Sequence, residues 1–202
     1  YKIKKDGTAE IVSYEGNLSE LTIPTELDGY KVTSVGESAF AESPSLKSLT
    51  IPEGITEIGT RAFERCQALE TLILPEGLKN SGVAAFYYCT SLKNVTIPST
   101  LKRISAFSFY FCTSLESVNL PSGLDEIDIY AFNNCTSLSS ISFPENLTRI
   151  CDYSFEKAAI TSVTVPDSVE LIGKFAFFNC SALANVKIGN NVKKIDDGAF
   201  YD

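Results

Sequence analysis

Apolar and polar residues alternate in short bursts along this chain, and the bursts return at a fixed interval. Leu69-Glu-Thr-Leu72-Ile-Leu74-Pro75 and Leu92-Lys-Asn-Val95-Thr-Ile97-Pro98 are two of them. Period-two alternation predicts a strand with one buried face. Proline, with its fixed φ and no N–H, ends each strand. Ala-Phe or Ser-Phe pairs then end at Phe40, Phe63, Phe86, Phe109, Phe132, Phe155, Phe177 and Phe200, a spacing of 23 residues with a single step of 22. Two further ladders keep the same period: Leu46, Leu69, Leu92, Leu115, Leu138, Ile160, Leu183, and Pro24, Pro52, Pro75, Pro98, Pro121, Pro144, Pro166, with Gly189 in the eighth slot.

The unit reads L-x-x-Φ-x-Φ-P-x-x-Φ-x-x-I-g-x-x-A-F-x-x-C-x-x, with Φ apolar. One unit cannot bury its own apolar face, whereas stacked units form a continuous core. The predicted fold is therefore α/β: a right-handed solenoid of about eight repeats of 22–23 residues. A parallel β-sheet lies on one face and turns or short helices on the other. Ser81 stands where other rungs have Ile58, Ile104, Ile127, Ile150, Ile172 and Ile195, so its rung is expected to be less well filled.

The strand motif, the Pro, the Ile-Gly step and the Ala-Phe-x-x-Cys turn together resemble the BspA-type (Treponema-like) leucine-rich repeat, over about residues 17–202. The resemblance implies a cell-surface or secreted recognition or adhesion module. Its partner would be a protein ligand, such as a host or neighbouring-cell surface protein. Residues 1–16, two short apolar segments around Asp6-Gly7, predict an N-terminal β-hairpin cap. Residues 17–202 are expected to form a single solenoid domain whose last repeat is incomplete. The stop two residues after Phe200 leads us to expect either a longer natural chain or a neighbour covering that end.

Composition narrows the chemistry. The chain has no His, which removes His-based nucleophile systems and His-containing zinc sites. Seventeen basic against twenty-five acidic residues give a net charge of −8, so no nucleic-acid partner is expected. No apolar run approaches the roughly 20 residues of a membrane span. The chain holds no Met and is expected to be a processed or trimmed chain, so the absence of an export signal or anchor says nothing about its destination. No cofactor, metal site or enzymatic activity is expected.

Five of the six cysteines, Cys66, Cys89, Cys112, Cys135 and Cys180, share one slot with Ser43 and Ala158. A slot that accepts Cys, Ser or Ala is a small buried filler. Cys151 falls in the slot of Gly59, Gly82 and Gly173. Neighbouring rungs are close enough for disulfides, but side chains in register lie alongside one another, and reduced thiols are expected. Asp125-Glu126-Ile-Asp128 offers paired carboxylates or oxygen ligands, against the simpler reading of a polar turn. Arg103, Glu126 and Arg149 on consecutive rungs predict a charge ladder.

Aromatic residues gather around the anchor phenylalanines. Phe107, Tyr130, Tyr153 and Phe175 precede it by two residues, and Tyr87, Tyr88, Tyr110 and Phe111 follow it. These eight are the candidate binding patch, set against plain stabilising stacking of the turns. Outward strand positions carry mostly Ser, Thr and Asn and lack the aromatic and Arg residues of binding hot spots. Two alternatives remain: a carbohydrate-binding module using these convex-side aromatics, with a glycan as partner, or a structural spacer for a missing C-terminal domain.

Overall fold

The computed structural model describes all 202 residues. The alternating bursts form a parallel ladder in register, rung on rung. Glu20–Thr22, Ser48–Thr50, Thr71–Ile73, Asn94–Thr96 and Ser117–Asn119 pair in that order. Ser162–Thr164 and Asn185–Lys187 continue the series as a separate pair. Residues 140–142 form no strand despite their alternating sequence. At that rung the inward side chain is Phe143, which meets Phe155 edge-on at 5.7 Å, and the next rung is the short one.

The expected single sheet is corrected to two lines of parallel pairing. The Ile-Gly step is itself a two-residue strand, and these short strands stack as well. Tyr30–Val35, Glu57–Ile58 and Asn80–Ser81 form one run. Arg103–Ile104, Glu126–Ile127, Arg149–Ile150, Leu171–Ile172 and Lys194–Ile195 form the next. The break between the runs falls at Ser81, where the slot lacks its Ile. A small void of about 10 Å³ lies there between Ser81, Phe86 and Phe109.

The short helices allowed for on the remaining side are absent, so the α/β label does not hold; every helix-like stretch there is a turn. The backbone explains why. Residues two before and two after each anchor Phe from Phe40 to Phe177 take left-handed φ, for example Arg61 (53°) and Arg65 (57°), or Phe107 (58°) and Phe111 (57°). A left-handed residue ends a right-handed helical run at once. Alternate N–H groups then point along the stack instead of back along the chain: Phe107, Phe109 and Phe111 donate to the carbonyls of Ile129, Ala131 and Asn133. The same three bonds join every neighbouring pair of these turns from residue 38 to residue 201.

The core is one continuous column. Phe40, Phe63, Phe86, Phe109, Phe132, Phe155, Phe177 and Phe200 stack face to face with centroids 5.1–5.5 Å apart. Tyr14 lies on Phe40 at 5.2 Å and closes the column at its first end. There Lys2–Ile3 pairs antiparallel with Ala9–Ile11, which runs parallel to Tyr30–Val35.

Candidate functional site

The turns decide which side chains reach the surface together. Because three hydrogen bonds hold each turn on the next, equivalent residues lie directly over one another. Where several rungs carry a ring in one slot, the rings stack. Phe107, Tyr130, Tyr153 and Phe175 form one such file, with centroids 4.9, 4.7 and 5.2 Å apart. Tyr87 stacks on Tyr110 at 5.0 Å, and Tyr88 on Phe111 at 4.7 Å. Phe107 and Tyr130 both touch Tyr110, which joins the three files into one belt.

All eight candidate aromatics therefore come together, and all are half-buried. Phe178 and Tyr201 extend the belt beside Phe175, with Phe178 edge-on to Phe175 at 5.2 Å. Six of the eight, Tyr88, Phe107, Phe111, Tyr130, Tyr153 and Phe175, have φ between 53° and 59°. That conformation costs an L-residue roughly 1–2 kcal/mol, and Gly or Asn takes it more readily. The chain does use them in the same slots, as Asn134, Asn179 and Gly198. Partial burial holds the phenols of Tyr87, Tyr110 and Tyr130 above their ordinary value of 10.0, so at neutral pH they are uncharged hydrogen-bonding groups.

At one end the belt stops abruptly. The slot that holds Phe107 carries Ala84 on the preceding rung and Arg61 on the one before. A cavity of about 370 Å³ opens there, bounded by Phe107, Ala84, Tyr87, Val83, Arg61 and Arg65. Val83 is 46% exposed. Glu64 lies between the two arginines, its carboxylate oxygens 3.6 and 3.8 Å from their Nε atoms. Sequence reasoning missed this place. Writing the turn slots in columns exposes it, since Ala84 is the small residue between Arg61 and a run of four rings.

The other candidates resolve into structure. All six cysteines are free and buried. Each ladder thiol donates to the carbonyl of an anchor Phe on the preceding rung: Cys66 to Phe40, Cys89 to Phe63, Cys112 to Phe86, Cys135 to Phe109 and Cys180 to Phe155, at 3.1–3.3 Å. The slot thus supplies an inter-rung donor as well as filling space. Burial pushes the Cys66 thiol up to about 11 and Cys180 to about 12. Such thiols are neither thiolate nucleophiles nor ready ligands at neutral pH.

Arg103, Glu126 and Arg149 do fall in register on successive rungs. The neighbouring Cys151 joins Glu126 and Asp128 in a group whose ligand atoms lie within 4.8 Å of one another. These donors are already engaged. Cys151 donates to Glu126 at 3.2 Å, Arg103 pairs with Asp128, and its Nε lies 3.9 Å from Glu126. Burial, followed by the Glu126 carboxylate, pushes the Cys151 thiol up to about 12. Asp125 is exposed and outside the group, so the four-residue acidic run does not converge. On the strand face, outward Ser, Thr and Asn side chains are exposed except for the half-buried Ser48 and Thr50, and Ser117 donates to Asn94 at 2.6 Å. No helix is long and apolar enough to cross a membrane.

Comparison with known proteins follows the same lines. A leucine-rich repeat protein of T. pallidum superimposes with a TM-score of 0.73 at 26% identity, covering 97% of this chain and 79% of that one. A leucine-rich repeat protein of Bacteroides capillosus is 31% identical, with a TM-score of 0.53, over 58% of this chain and 90% of its own. A protein of Faecalibacterium prausnitzii described as a leucine rich cell surface protein shares the fold at 24% identity and TM-score 0.55, over 99% and 83% of the two chains. No match is found among curated proteins. The model of the BspA type leucine rich repeat region, in six copies, matches residues 10–124 and 102–202, and the chain belongs to that family.

Proposed function

We propose that this chain is a non-enzymatic recognition or adhesion module, displayed at a cell surface, that binds a protein partner along its aromatic belt. The carrying observation is the belt itself: eight contiguous half-buried rings, six of them held at a backbone conformation that Gly or Asn would adopt at lower cost. The same left-handed turn also holds Ser38, Glu42, Arg61, Arg65, Ala84 and Lys157, so the backbone belongs to the fold, and it is the run of large rings placed on it that supports a role beyond folding. Aromatic residues and Arg are the side chains that dominate protein interfaces. A surface location is supported by the family and by the description of the F. prausnitzii protein. In the same reading residues 1–16 act as an N-terminal cap, supported by the ring of Tyr14 lying over Phe40.

Protein is favoured over sugar by the way the rings are packed. A sugar binds an aromatic ring on its face, but Tyr130 has Phe107 on one face and Tyr153 on the other, at interplanar angles of 11° and 3°. Apart from the outer face of Phe107 at the end of the file, what the belt offers solvent is ring edges and phenol hydroxyls, which suit side chains and backbone of a partner. The test is binding of labelled chain to a panel of animal and bacterial cells, untreated or treated with protease or glycosidase. Protease should abolish binding, and so should Tyr130→Ser with Tyr153→Ser, whereas Ser140→Lys on the strand face should not. Binding that survives protease and is lost to glycosidase would favour the carbohydrate reading. Absence of binding to every cell type would favour the spacer.

A further inference from the structure

We propose that the notch at Ala84 is a receptor for one aromatic side chain of a partner polypeptide, with an adjacent carboxylate held by the Arg61 and Arg65 guanidinium groups. The inference rests on the protein-binding reading of the belt and adds a defined subsite to it. The argument begins with spacing. Rings in this slot repeat at 4.7–5.2 Å, so the Ala84 rung is a place in the file from which one ring is missing. Phe107 has a ring on its Tyr130 side and borders the cavity on the other, whereas the other terminal ring, Phe175, is closed by Gly198, so Phe107 offers a face to a newcomer. A planar side chain entering there would lie on Phe107 with Ala84 beneath it, Val83 and Tyr87 beside it and Arg61 on its far side. That supplies stacking on one face and a cation over the other.

The arginines give the occupant its second requirement. The side chains of Arg61 and Arg65 are 61% and 53% exposed. Their nearest carboxylates stand at 3.6–3.9 Å, beyond the 2.7–3.2 Å typical of N–H···O hydrogen bonds. Both forks therefore keep their donors free, and a carboxylate is the group that such forks bind in pairs. Two of the chain's four arginines meet at this one step, in a cavity that Glu37 and Glu64 also line, so an incoming carboxylate is held by the unused guanidinium donors and not by a net positive charge. A Phe, Tyr or Trp next to Asp or Glu in a partner would satisfy both halves.

The chain contains no Trp, so a peptide's indole, excited at wavelengths beyond the absorption of the chain's nine tyrosines, reports binding without emission from the protein. The probes are acetyl-Gly-Trp-Asp-Gly-amide and its Trp-Asn counterpart. We expect a saturable change with the Trp-Asp peptide and at least about tenfold weaker binding of Trp-Asn. Arg61→Gln with Arg65→Gln should bring the two peptides level. Ala84→Phe should supply the missing ring and abolish the response; the same slot already accepts Phe at 107 and 175, and folding is checked by circular dichroism. Equal binding of both peptides by the wild type, or unchanged binding by Ala84→Phe or by the arginine pair variant, overturns the proposal. So does a saturable change in the chain's own tyrosine emission with a galacturonate tetrasaccharide and no response to either peptide. Belt and notch fail separately: Tyr130→Ser with Tyr153→Ser tests cell binding and leaves Phe107, Ala84 and both arginines in place.

Discussion

Removing the ring of Phe109 probes how the stack is held together. Its side chain is 2% exposed, and it lies between Phe86 at 5.5 Å and Phe132 at 5.3 Å. Phe→Ala in a core costs about 3–5 kcal/mol. Loss of two stacked pairs, each about 0.5–1.5 kcal/mol, places Phe109→Ala toward the upper end. At about 2–4 °C per kcal/mol for a chain of this size, Tm should fall by about 8–20 °C. Phe200 stacks on one ring only, Phe177 at 5.1 Å, and is half-buried. Its replacement by Ala should cost about half as much or less, roughly 1–2 kcal/mol, because a terminal rung has one neighbour. Thermal and guanidinium unfolding followed by circular dichroism give both values. Equal losses at the two positions, or a loss below about 1 kcal/mol at Phe109, would refute the nearest-neighbour column.

Further outcomes follow from other rungs. The Ser154 hydroxyl is fully buried with no hydrogen-bond partner, in a slot where six other rungs carry a buried Ala. Ser154→Ala should stabilise by about 1 kcal/mol, raising Tm by about 2–4 °C; a decrease would show that the hydroxyl has a partner. Ser81→Ile should fill the void beside Phe86 and add about 0.5–2 kcal/mol, and a destabilised variant would mean that the gap cannot open to an Ile. Unfolded thiols ionise near their ordinary 9.0, whereas the folded chain keeps its protons to about 11 at Cys66 and about 12 at Cys180. The folded state binds more protons in that window, so this stabilisation is intact below about pH 9. It is lost as pH rises, by about 1.4 kcal/mol per pH unit for each thiol. Denaturation at pH 8, 9 and 10 should show a flatter decline for Cys66→Ala; the same slope would contradict it.

What could be read from the sequence was what repeats as residue identity. The phenylalanine column and the cysteine slot appear as like residues at one spacing, and stacking in register converts that spacing into contact; of the charge ladder, in register throughout, only Arg103 and Glu126 come within 4.0 Å. The second line of pairing was not readable, because a two-residue strand such as Glu57–Ile58 is too short to show alternation. Nor were the left-handed turns. Tyr and Phe at positions such as 130 and 175 argue against positive φ, and only the inter-rung bonds of the turns impose it. Residues 140–142 form no strand although their local pattern alternates; Phe143 and the short rung after it are where that turn of the solenoid departs from the others. The thiol donors were invisible for a different reason: Cys, Ser and Ala in one slot read as a matter of size alone. The eight belt residues were found together, while the notch beside them escaped because its defining residue, Ala84, is conspicuous only by being small.

The central claim is that the partner docks on the aromatic belt rather than on the strand face. The most direct measurement places a photo-reactive phenylalanine analogue at position 153 in one chain and at position 140 in another. Both are irradiated on cells that bind the wild type. The account predicts a protein adduct from position 153 that excess unlabelled chain suppresses, and none from position 140. Suppressible adducts from position 140 alone would contradict it.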